Sequence, residues 1–157
     1  MTAEIFLDNN ATTQPLPEVI EAMAEAMGAQ FGNPSSSNRS GDRGRSVLRS
    51  ARESVAKLIG ASPDDLYFTS GATEANNWVI QKAVPRSGTL LTTSTEHSSV
   101  KESAAALEVQ RGGHVTLLGV GASGQICVDQ LKEQLVEKPD LVSMHWVNNE
   151  TGVIQPI

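Results

Sequence analysis

Apolar positions recur at helical spacing over residues 17–27, where Val19, Ile20, Met23 and Met27 share a face. Pro17 suits a first helical position, and Gly28 follows the end. A longer stripe runs over residues 42–59 through Val47, Leu48, Ala51, Val55, Leu58 and Ile59, with Gly60 behind it. Between these two helices, residues 30–44 hold Gly32, Asn33, Pro34, Ser35, Ser36, Ser37, Asn38, Ser40 and Gly41, which break any period. A loop of that length within a compact fold is often functional. After Gly60 the pattern alternates. Strands are predicted at 66–69, 89–93, 115–120 and 141–147, and helices at 73–84, 99–111 and 129–137. The helix at 99–111 opens on a capping box, Ser99-x-x-Glu102. The last strand shows no polar alternation, as expected for one covered on both faces. This order predicts an α/β fold, a mostly parallel sheet with right-handed crossover helices.

Composition narrows the class. The chain has 157 residues, 39% hydrophobic, enough for a folded core and against wholesale disorder. No apolar run is long enough to span a membrane, and residues 1–6 lack a basic segment followed by an apolar stretch. A soluble, cytoplasmic protein is expected. The net charge of −6 argues against broad binding to nucleic acid or acidic membrane, and 4% aromatic residues leave little for base stacking. Charge is uneven along the chain. Residues 1–38 contain no Lys or Arg, whereas Arg45, Arg49 and Arg52 fall on one helix face. That stripe reads first as a solvated face and second as a docking surface. Cys127 is the single cysteine, so no disulfide forms within the chain, and its apolar surroundings predict a buried thiol. No two histidines lie at metal-ligand spacing, so no metal site is expected.

In an open parallel sheet, ligands bind outside the carboxyl ends of the strands. Three such ends carry unusual residues. At Phe68-Thr69-Ser70-Gly71-Ala72-Thr73-Glu74 a strand runs into small residues and then a helix. Free N–H groups at the positive helix end, with the Ser70 and Thr73 hydroxyls, suit a phosphate, although an ordinary turn fits the same residues. The second end places His97 where an imidazole can stack on a flat ring or move a proton, or simply cap a helix. The third places Asn148 and Asn149 where amides orient a polar ligand atom or form a turn.

Five motifs then occur together and in order: Phe6-Leu7-Asp8-Asn9-Asn10-Ala11-Thr12-Thr13, Phe31-Gly32-Asn33-Pro34-Ser35-Ser36, the run from Phe68 to Asn77, Thr95-Glu96-His97-Ser98-Ser99-Val100, and Val147-Asn148-Asn149-Glu150-Thr151-Gly152. This set resembles the N-terminal part of cysteine desulfurases, pyridoxal-phosphate (PLP) enzymes of the class V aminotransferase group with the fold-type I transferase architecture. The forms EHSSV and NNETG look more like the nitrogen-fixation and iron–sulfur branch than the branch with selenocysteine lyases. The resemblance implies that Ala72 and Thr73 hold the PLP phosphate. It implies that His97 stacks on the pyridine ring and assists proton transfer, which makes it the catalytic candidate. Asn149 would lie beside the ring hydroxyl and the substrate, and Asn33, a weaker carry-over, near the substrate entrance.

The same resemblance implies a reaction. L-cysteine is converted to alanine while a loop cysteine takes the sulfur as a persulfide, which passes to an acceptor or iron–sulfur scaffold protein. A homodimer is implied as well. Residues 1–13 would contribute to a small domain and 14–157 to the front part of the PLP-binding large domain. The Schiff-base lysine, the loop cysteine and the substrate-carboxylate arginine all match positions beyond residue 157. Lys57, Lys82, Lys101, Lys132 and Lys138 stand in no matching context, and Asn38 replaces a usual histidine. A fragment or one piece of a split enzyme is therefore expected, inactive and poorly stable alone. The strand at 66–69 would be separated from the others by strands the chain lacks. Another class V aminotransferase or lyase, or a non-catalytic remnant of the fold, is the alternative.

Overall fold

A computed structural model describes residues 5–157, which divide into two compact units, one ending at Phe68 and the other running from Thr69 to Ile157. The first holds α1 (Pro17–Gly28), α2 (Arg39–Ile59) and a 3₁₀ turn at Pro63–Asp65. The second holds α3 (Ala72–Ala83), β1 (Thr89–Thr93), α4 (Ser98–Arg111), β2 (His114–Leu118), α5 (Val128–Val136) and β3 (Leu141–Ser143). Residues 1–4 of the segment expected to join a small domain lie outside the described residues.

The second unit carries the sheet. Its three strands are parallel in the order β2-β1-β3, with Leu90 opposite both Val115 and Leu141. Two hydrophobic clusters form, because side chains on a strand alternate between faces. Leu90 packs with Ile80, Val84, Val100, Ala104 and Leu107 of α3, α4 and the chain after α3. Leu91 packs with Leu118 and Ile126 on the other face. At the amino ends of the strands, Asp140 Oδ2 accepts from the Thr89 N–H (2.7 Å) and hydroxyl (3.1 Å). That contact ties β1 to the entry of β3. The predicted α/β fold with a parallel sheet is what forms.

Four local expectations are corrected. Residues 66–69 are extended but join no strand ladder. The helix at 98–111 is capped by His97, whose side chain accepts from the Ser99 N–H, so the cap sits two residues before the predicted capping-box serine. Cys127 is exposed. Its neighbour Ile126 takes the inward position in the second cluster, and an alternating chain then turns Cys127 outward. The final strand ends at Ser143, and its residues are only half-buried.

The first unit shows a different economy. α1 buries none of its residues, and Val19, Ile20, Met23 and Met27 are all exposed, so the apolar face that the pattern predicts has no cover within the described residues. α2 begins three residues earlier than predicted because Asn38 caps it, accepting from the Gly41 N–H at 2.9 Å. The arginine stripe is not uniformly solvated. Arg45 donates to the Pro34 (2.7 Å) and Ser36 (2.6 Å) carbonyls and pairs with Asp42, bracing the loop against α2. Arg52 lies over the Phe68 ring, 5.7 Å from its centroid.

Close backbone approach explains two glycines, Gly32 in the loop and Gly41 in the first turn of α2. A Cβ on Gly41 would sit 2.1 Å from the Ser36 carbonyl oxygen, and one on Gly32 would sit 1.9 Å from the Ser40 carbonyl oxygen. Both partners are backbone, so neither contact relaxes cheaply. Replacing Gly41 with alanine is expected to destabilise the first unit by about 1–3 kcal/mol. A thermal denaturation midpoint equal to that of the parent protein would count against this packing.

Candidate active site

The site is built where β1 and β3 end and α3 begins, all within the second unit. The α3 end comes first. Gly71 is its N-cap, no side chain caps it, and a Cβ at Gly71 would meet nothing within 4 Å. The first N–H groups of a helix have no intrahelical acceptor, so those of Ala72 and Thr73 face outward at its positive end. Ala72 and Thr73 are both exposed. The Ser70 donors are already used, however. Its N–H and hydroxyl both donate to Glu74 Oε2, at 2.7 and 2.8 Å. These two bonds hold the Glu74 carboxyl below its ordinary range, the backbone bond contributing most. The Ser70 hydroxyl therefore serves the turn, and the open part of the cradle is Gly71-Ala72-Thr73.

His97 follows β1. Its Nδ1 accepts from the Ser99 N–H at 3.1 Å and lies 2.9 Å from the Ser99 hydroxyl. A backbone N–H is always a donor, so Nδ1 is the acceptor and a neutral ring carries its proton on Nε2. Asn76 of α3 donates to the same Ser99 hydroxyl at 2.8 Å. The cradle helix and His97 are thus joined through one serine. The imidazole itself is exposed.

The third segment follows β3. Asn148 Nδ2 donates to the Thr95 carbonyl at 3.1 Å, while its Oδ1 accepts from Glu150 N, Thr151 N and the Thr151 hydroxyl. Asn148 is therefore the anchor of the pair. Asn149 is exposed at the turn and available to a ligand. A second tie lies beside it. The carboxylate of Glu96, a buried residue, accepts from the Thr93 hydroxyl (3.2 Å) and the His145 N–H (2.7 Å), and pairs with His145 Nδ1 (3.2 Å).

Ala72, Thr73, His97 and Asn149 accordingly belong to three segments: bonds through Ser99 join the first two, and separate bonds from Asn148 and Glu96 tie the third to the stretch just before His97. Asn33 lies in the first unit, where its Oδ1 accepts from the Ser35 N–H at 2.9 Å in an Asx turn. Sequence reasoning missed the roles of Asn76, Glu96 and His145 and named Asn148 without its partner Thr95, since these contacts are distant in sequence. A signal existed for Glu96: an acidic residue between an apolar strand and a helix start.

Residues 5–157 match the family described as Aminotransferase class-V. The chain belongs to that family. Among class-V proteins, it is 41% identical to a cysteine desulfurase of Trichormus azollae over 98% of its own length and 39% of that enzyme. It is 38% identical to the selenocysteine lyase of Bos taurus, again over 98% of its length and 40% of the lyase. The solved structure of SspA in complex with cysteine superposes with a TM-score of 0.84 at 35% identity, covering 94% of this chain and 43% of that one. The class-V chain thus spans about two-fifths of the length of the curated relatives it matches. Its fold is the PLP-dependent transferase type shared by that neighbour. No helix among the described residues is long and apolar enough to cross a membrane, and no cluster of His, Cys, Asp and Glu among them could hold a metal.

Proposed function

We propose that this chain is the cofactor-cradling N-terminal part of a PLP-dependent cysteine desulfurase. The observation that carries the reading is the network joining Asn76, Ser99 and His97, which sets an uncapped helix end and an exposed imidazole on one hydrogen-bonded frame. The residues fit the group. The open space at Gly71 and the outward N–H groups of Ala72 and Thr73 suit a phosphate, and the Thr73 hydroxyl adds a donor. His97, held at Nδ1, presents a flat ring and keeps its proton on Nε2, where it is available for exchange with a ligand. Asn149 offers both an amide donor and an acceptor to a ring hydroxyl or a substrate atom. When bound, PLP supplies an electron sink that weakens bonds at the α-carbon of an amino acid.

Several finer roles belong to the same proposal. The substrate is L-cysteine, in keeping with the cysteine bound in the SspA structure. L-selenocysteine is the second reading, favoured by the similarity to the bovine lyase. The tethering lysine and the sulfur-accepting cysteine would come from the part of the relatives' length that this chain does not span. Asn33 would line the substrate entrance, residues 1–13 would join a small domain, and the working enzyme would be a homodimer delivering sulfur to an acceptor or scaffold protein in the cytoplasm.

Titration of the full-length protein with PLP tests the cradle. Replacing Thr73 with alanine is expected to weaken PLP about tenfold to a hundredfold, the effect of one hydrogen bond to a charged group. Affinity unchanged from the parent protein would remove Thr73 from the phosphate site.

A further inference from the structure

We propose that Glu96 is a positioning residue for this site, and that its carboxylate replaces the sheet pairing where the sheet stops. The inference rests on the desulfurase reading only for what the site does, not for the contact itself. Pairing between β1 and β3 ends at Thr92 opposite Ser143. Beyond that pair no backbone ladder joins the two segments, one leading to His97 and the other to Asn149. Two side chains bridge the gap. Asn148 reaches back to the Thr95 carbonyl, and Glu96 reaches across to residue 145, 49 positions away.

Glu96 Oε1 alone receives all three donors: the Thr93 hydroxyl, the His145 N–H and His145 Nδ1. Its side chain is 3% exposed and that of His145 15%. A buried acceptor with donors from two elements fixes the spacing of both, because any separation leaves polar groups unpaired away from water. The residue after Glu96 is His97, and the segment after His145 leads to Asn149. The carboxylate also assigns the tautomer of His145: Nδ1 must be the donor, whereas His97 uses Nδ1 as an acceptor. His145 Nε2 has no hydrogen-bond partner among the described residues, so Nδ1 is the ring's anchor.

The role needs one oxygen at one place rather than a negative charge, and that sets the test. In the full-length, PLP-loaded protein, Glu96→Gln retains Oε1 and is expected to stay within about threefold of the parent in alanine formation from L-cysteine. Glu96→Asp withdraws the oxygen by one methylene and is expected to lower kcat tenfold to a hundredfold with KM nearly unchanged, the penalty of a displaced catalytic group. The visible circular dichroism of bound PLP should change in Glu96→Asp and match the parent in Glu96→Gln, at equal PLP content. Glu96→Gln as impaired as Glu96→Asp, or Glu96→Asp equal to the parent, overturns the proposal. Should Glu96→Asp fail to fold, Glu96→Gln and histidine nitrogen shifts decide. His145 protonated on Nε2 rather than Nδ1 in the unvaried protein also overturns it. If the unvaried protein neither binds PLP nor forms alanine, the desulfurase reading fails instead, and the histidine shifts still report on the Glu96 contact.

Discussion

Replacing His97 with alanine in the full-length, PLP-loaded protein is expected to lower alanine formation from L-cysteine by about two to four orders of magnitude, the range for loss of a positioned acid or base. The same change removes a helix cap. His97 Nδ1 accepts from the Ser99 N–H, and losing such a cap costs about 0.5–2 kcal/mol. Stability and chemistry are therefore entangled in the alanine variant. His97→Asn separates them, since asparagine is among the best N-cap residues yet carries no titratable ring. The denaturation midpoint should return close to the parent value while turnover stays low. Turnover restored by asparagine would reduce His97 to a cap. Steady-state kinetics and thermal melts on the three proteins measure both quantities.

Truncating Leu91 to alanine is expected to cost about 2–5 kcal/mol, the largest stability effect of any single change considered. Leu91 lies on the central strand, is 1% exposed, and joins Leu118 and Ile126 in the second cluster. A cavity there cannot be closed by movement of β1, because both its edges are paired. Val109→Ala on α4 supplies the contrast. Val109 is 86% exposed, so its truncation should change stability by less than about 0.5 kcal/mol. Urea denaturation midpoints compare the two. Equal midpoints would show that the cluster around Leu91 does not form.

The difference between these two residues marks what the hydrophobic pattern conveys. Periodicity identified α1 through α5 and the three strands of the sheet to within a few residues, because helix and strand repeats are local properties of the chain. It also assigned Val19, Ile20, Met23 and Met27 to one face of α1, and they share it. Whether that face is buried is not local. The described residues leave it open, as they leave residues 66–69 extended without a ladder partner. Cys127 illustrates the same limit at one position. Its neighbours are apolar, yet the inward place on that stretch is taken by Ile126.

The site divides in the same way. Small residues before a helix, an imidazole after a strand and paired amides after another strand are legible as chemistry in the sequence, and the family resemblance singles out Ala72, Thr73, His97 and Asn149 among them. The sequence by itself determined the α/β order, the small-residue approach to α3 and the identity of the groups proposed to meet a ligand. Only the tertiary structure decided how those groups are held. Asn76 reaches Ser99 across 23 positions, Glu96 reaches His145 across 49, and Asn148 reaches Thr95 across 53. The last two depend on which strands become neighbours, since parallel pairing of β1 with β3 places residues 51 positions apart side by side. A local pattern carries no record of that pairing.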